Sequence, residues 1–151
     1  MSKPKHKDAM VMLELGQLHA AMGVGEAFSW VFSDAYIPEH EKFLKKYPFG
    51  SPEYMNVNKV LGFFETVGTL WHHGLINEQL LFDWIAVHMV WDKVGKFALG
   101  AREKAGEPRL YEYFEAMTNA QRKTWDKAMN KPKKAKESKK AKEPKKAKKA
   151  K

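Results

Sequence analysis

Two apolar stripes at helical spacing, joined by the short connection HHGLIN (72–77), restrict this chain to helical architectures. In the first stripe Val57, Val60, Leu61, Phe64, Val67 and Trp71 recur every three or four residues, the period that puts side chains on one face of an α-helix. In the second, Leu80, Trp84, Val87, Trp91, Val94 and Ala98 follow one line, widened by Leu81, Ile85 and Leu99. Ser51-Pro52-Glu53 opens the first helix with a capping hydroxyl, a proline at the first helical position and an acid in the first turn. Asn77 caps the second, and Gly106 and Pro108 stop it. So short a connection makes the two helices antiparallel neighbours. The spacing therefore predicts a long hairpin over about 52–74 and 78–104.

The flanking segments read as shorter helices. Val11, Leu15, Leu18 and Met22 mark one from Asp8 to about Met22, which Gly23 and Gly25 break. EAFSWVFSD places Phe28, Val31 and Phe32 on one side, and Pro38 opens PEHEKFLKKY. PRLYEYFEAM is expected as a short helix with Leu110, Phe114 and Met117 inward, and Thr118 or Asn119 as the start of a last one through Met129. Gly62 and Gly68 mark places where a partner helix can approach closely. No segment alternates like a strand. The expectation is an all-α compact bundle over residues 8–129, between a basic leader (1–7) and a basic tail (130–151).

The longest apolar run, LLFDWIAVHMVWDKVGKFAL, carries Asp83, Asp92, Lys93 and Lys96. A membrane span needs about 20 nearly uncharged residues, so no integral membrane segment is expected. The start of the chain imitates a secretory signal, but Glu14, Gln17 and His19 interrupt its apolar stretch. The absence of cysteine removes thiol chemistry and disulfides and suits a cytoplasmic location.

Charge divides the chain sharply. The net charge is +9, yet residues 8–129 hold 16 acids against 12 Lys and Arg, a balance of −4. The leader adds Lys3, Lys5 and Lys7, and residues 130–151 hold 12 Lys against 2 Glu. Those lysines are Lys131, Lys133, Lys134, Lys136, Lys139, Lys140, Lys142, Lys145, Lys146, Lys148, Lys149 and Lys151, spread through imperfect six-residue units such as KKAKES and KKAKEP. With only charged, small and proline side chains, this tail cannot bury a core and is expected to be disordered when free. Lysines that meet phosphates release condensed counterions and bind without regard to sequence. The tail has no arginine fork for guanine and no aromatic ring for base stacking. Duplex backbone is thus its best-matched target, while anionic lipid headgroups, polyphosphate and acidic proteins satisfy the same electrostatics.

Catalytic and metal patterns are sparse. His88 and Asp92 stand four apart, with Glu65 on the neighbouring helix, but neither Glu-x-x-His nor His-Glu-x-x-His occurs. The simpler reading is a half-buried His88 hydrogen-bonded to Asp92. No nucleophile elbow or phosphate-cradling glycine loop is present, so the chain reads as a non-enzyme without cofactor or metal. Tyr111 and Tyr113, set among acids in YEYF, are a candidate partner surface because tyrosine is favoured at interfaces. Packing against the core is the plainer role for them. Glu112 and Glu115 offer a landing place for the tail.

Val57 to Met117, from the helix passing FFE through the GLIN turn and the Trp-rich second helix to PRLYEYFE, resembles a family of small bacterial helical domains of unknown function. The resemblance implies a helical fold and a bacterial source, and it carries no catalytic residues. The lysine tail lies outside it. The sequence thus points to an accessory protein whose tail binds nucleic-acid phosphates while the helical domain engages a protein partner or a second copy. The alternative is an interaction module whose tail serves as a solubility or membrane-surface tether.

Overall fold

The computed structural model describes residues 2–130, which form seven helices and no strand. In chain order they are α1 (His6–Ala21), α2 (Val24–Val31), α3 (His40–Lys46), α4 (Pro52–His72), α5 (Glu78–Trp84), α6 (Val87–Ala105) and α7 (Glu112–Met129). The all-α reading holds. No described helix is long and apolar enough to cross a membrane.

The first stripe is the centre of the molecule. Val57, Val60, Leu61, Phe64 and Val67 of α4 are all buried, and α4 packs chiefly against α2 on one side and α7 on the other. The predicted caps form: Ser51 Oγ accepts from the Tyr54 N–H at 3.2 Å, and Asn77 Oδ1 accepts from the Leu80 N–H at 3.0 Å. Gly106, at φ +62°, closes α6 in the left-handed conformation that glycine tolerates without strain.

The second stripe behaves differently from the expectation of one long helix. It is interrupted at Ile85 and Ala86, which leave helical geometry (φ −129°, ψ 130° and φ −81°, ψ 73°), so α5 and α6 are separate. The cause lies 36 residues away. Gln121 of α7 is fully buried; its Nε2 donates to the Ile85 carbonyl at 2.7 Å, and its Oε1 accepts from the His88 N–H at 3.0 Å. One side chain thus satisfies a carbonyl at the end of α5 and an orphan N–H at the start of α6, groups a continuous helix would pair internally.

The expected boundary at Thr118–Asn119 is also absent. α7 runs unbroken from Glu112 to Met129 with Thr118 fully buried mid-helix, so packing overrides the local capping preference. Its start is built by other helices. Tyr111 takes the left-handed conformation (φ 59°), and the Glu65 carboxylate of α4 accepts from the Tyr113 N–H at 3.3 Å and the Phe114 N–H at 2.8 Å. Arg102 of α6 fixes the preceding loop by donating to the Leu110 carbonyl (2.9 Å) and to Glu115 (2.8 Å).

α1 is seated more shallowly than the rest. Leu15 is its one fully buried apolar side chain, whereas Met10, Leu13 and Leu18 face solvent.

On the opposite flank His40 of α3 is buried edge-on against Phe97 (centroids 4.9 Å apart). Burial, then the Lys104 charge, lowers its pKa below 6.5, with Glu41 opposing. The unfolded chain takes up a proton near pH 6.5 that the folded one refuses. This contribution to stability is complete above about pH 6.5 and is lost as pH falls from there through the folded value. We expect urea midpoints to fall between about pH 7.5 and about pH 5, and His40→Gln to flatten that slope. An unchanged slope in the variant would reject the assignment.

Candidate functional site

The break at Ile85–Ala86 has a consequence on the surface. Between α1, α2 and the start of α6 lies an open groove of about 620 Å³. Its floor is Phe63 and Phe64 of α4, both buried, and its walls include Phe28, Phe32, Trp84 and Met89. Phe28 and Phe32, one helical turn apart, stack at 4.4 Å, and His19 of α1 meets Phe63 edge-on at 5.2 Å. Phe32, Trp84 and Met89 remain 41%, 38% and 57% exposed, so these large apolar side chains stay in water. A contiguous apolar depression of this kind is where soluble domains bind partners or ligands.

A charge stands beside its Phe32 wall. Lys93, one turn beyond Met89 and Val90 on α6, holds its Nζ 5.8 Å from the Phe32 ring centroid and 5.7 Å from that of Tyr36. It joins none of the ion pairs among the described residues. Tyr36 is buried, its hydroxyl has no partner among the described residues, and burial, followed by the Glu39 charge, pushes its pKa well above the ordinary phenol value.

The residues singled out from sequence fall elsewhere. Tyr111 and Tyr113 are half-buried at the α7 start. Burial raises the Tyr111 phenol, with Tyr54 and Glu65 adding to it, and its hydroxyl lies 3.5 Å from Asn58 Oδ1. Tyr113 stacks on His72 at 4.4 Å and accepts from Arg109 at 3.3 Å. Glu112 and Glu115 are paired with Arg109 and Arg102. The twelve tail lysines, Lys131 to Lys151, lie outside the described residues.

His88 does not bond Asp92. Its Nδ1 lies 2.8 Å from Gln121 Oε1, while Asp92 pairs with Arg122 and Glu65 caps α7. Three residues that share a helical neighbourhood in sequence are thus assigned to three separate tasks. Among the described residues no group of three His, Cys, Asp or Glu is placed to hold a metal ion.

Sequence periodicity allows a groove in the Trp-rich segment but cannot separate its wall from core. Trp84 lies on the second stripe and Phe32 on the α2 stripe, and periodicity treats both as core. The wall residues differ from core only in that the chain on either side of the α5–α6 break leaves them uncovered.

A family model described as Domain of unknown function (DUF4760) matches residues 26–125. The match runs from within α2 to within α7, so it contains the α4 floor and the α5–α6 break, and leaves out α1 and the tail. No curated protein and no solved structure matches the chain.

Proposed function

We propose, for a chain that belongs to the family described as Domain of unknown function (DUF4760), a non-enzymatic accessory role: the lysine tail holds the protein on nucleic-acid phosphates, and the helical domain presents a surface to a partner. The observation that carries this reading is the segregation of charge, with 12 Lys against 2 Glu in residues 130–151 and 12 basic against 16 acidic residues in 8–129. Support comes also from the arginines. All three in the chain, Arg102, Arg109 and Arg122, are paired with acids of the domain, so no guanidinium is left for base recognition. The acidic domain is repelled by a polyanion, and the tail is the anchor.

With about half the tail lysines engaged on duplex DNA, log affinity should fall against log salt with a slope of about −5, and binding should be micromolar or weaker in physiological salt. Anisotropy of a labelled short duplex, titrated with the full chain and with a chain ending at Asn130, measures this. Loss of binding with the tail supports the reading; equal binding by the shortened chain rejects it.

The exposed aromatic groove favours a second reading, in which the domain does the recognition and the tail is a tether on an anionic surface. Binding to anionic vesicles, with none to duplex at low salt, would select it.

A further inference from the structure

We infer that the groove between α1, α2 and the α5–α6 break is a binding site for a single-chain amphiphile with an anionic head, such as a long-chain carboxylate. This site uses none of the tail residues and stands independently of the polyanion reading. Three observations converge on it. About 620 Å³ falls within the roughly 300–1,000 Å³ typical of small-ligand clefts. The surface offered is aromatic and aliphatic, floored by Phe63 and Phe64 and flanked by Phe28, Phe32, Trp84 and Met89, and includes no acid that would repel an anion. The Lys93 ammonium stands beside the groove's Phe32 wall, 5.8 Å from the ring centroid and without an acid partner among the described residues.

A methylene chain lying over the phenylalanine floor removes apolar surface from water on both partners. A carboxylate at the Lys93 end then gives that ammonium the counter-ion that none of the described residues supplies. The buried Tyr36 ring beside the same ammonium lowers the local dielectric and strengthens the pair. An apolar ligand without a head group would leave Lys93 unpaired, and a polar anion without a chain would leave the floor wet.

Calorimetric titration of the full chain with dodecanoate, dodecan-1-ol and butanoate, below micelle-forming concentrations, tests the assignment. Dodecanoate should bind more tightly than the alcohol, and butanoate, which reports any carboxylate held by tail or surface lysines, should not bind measurably. Met89 is largely exposed, so Met89→Glu leaves the fold intact, as an unchanged Tm would verify. It should weaken dodecanoate by about tenfold or more by placing a charge in the chain's path. Lys93→Gln should cut dodecanoate affinity about fivefold and leave dodecan-1-ol unaffected, erasing the preference for the acid. No dodecanoate binding, or binding indifferent to Met89→Glu, overturns the site. A preference that survives Lys93→Gln overturns the placement of the head. A concentration-dependent dimer abolished by Met89→Glu would make a second copy of the chain the occupant and overturn the proposal.

Discussion

Gly68→Ala is expected to destabilise the domain by about 3 kcal/mol and lower its Tm by roughly 10 °C. In a helix interior this exchange ordinarily stabilises by about 0.5–1 kcal/mol, so the expected sign is reversed. A methyl at position 68 would sit 2.6 Å from the Tyr113 carbonyl carbon, 2.7 Å from its oxygen and 2.8 Å from the Phe114 nitrogen. All three are backbone atoms, which cannot swing aside as a side-chain end does. α7 must therefore lift from α4, and in lifting it pulls the Tyr113 and Phe114 N–H groups away from Glu65, the carboxylate that caps it. Gly62, six residues earlier on the same helix, has nothing within 4 Å of such a methyl. Gly62→Ala should accordingly stabilise by about 0.5–1 kcal/mol. Urea unfolding of the two variants gives opposite signs if α7 is seated on the bare backbone at Gly68. Similar effects would remove that seat from the account.

Gln121→Leu is the second large effect, also about 3 kcal/mol. The substitution nearly preserves volume but strips the Ile85 carbonyl and the His88 N–H of their buried partner, at about 1–3 kcal/mol for each group left unsatisfied. The Ile85 carbonyl keeps a contact from the Val87 N–H at 3.1 Å, which holds the total below the sum of two full penalties. Asn119→Ala, exposed on the same helix, should stay within about 0.5 kcal/mol of the parent. The network also sets a tautomer. Because Gln121 Nε2 donates to Ile85, its Oε1 must face His88, and the ring nitrogen 2.8 Å away must carry the hydrogen. Nitrogen-15 spectra of the parent should show His88 protonated on Nδ1, a preference that Gln121→Leu should relax. A stable variant with unaltered His88 signals would reject the stitching role.

These two sites mark where sequence legibility stops. The apolar face of α4, its Ser51–Pro52 start, the Asn77 cap and the Gly106 stop were readable because each depends on residues within a turn or two of one another. The break at Ile85–Ala86 was not, since nothing at those positions resists helix and the group that stabilises the break comes from Gln121. The start of α7 was misplaced for the same reason: Tyr111 and Glu112 carry no capping side chain, and the acceptor for the first N–H groups is Glu65, 48 residues earlier. Of the pair Gly62 and Gly68, periodicity could not tell which one faces a neighbour. The groove was illegible as a corollary, because it exists only where the second stripe is interrupted.

The shallow seat of α1 has a kinetic meaning. Its Gly16 and His19 line the groove, yet within α1 only Leu15 ties an apolar side chain fully into the core. Local opening of this helix needs far less free energy than global unfolding, so its amides should exchange with solvent well before those of α4. Whatever fills the groove also rests on α1 and is lost when α1 departs. By mass action, then, occupancy and the protection of α1 amides must rise together, and slowed exchange in residues 6–21 would report a bound molecule before its identity is known.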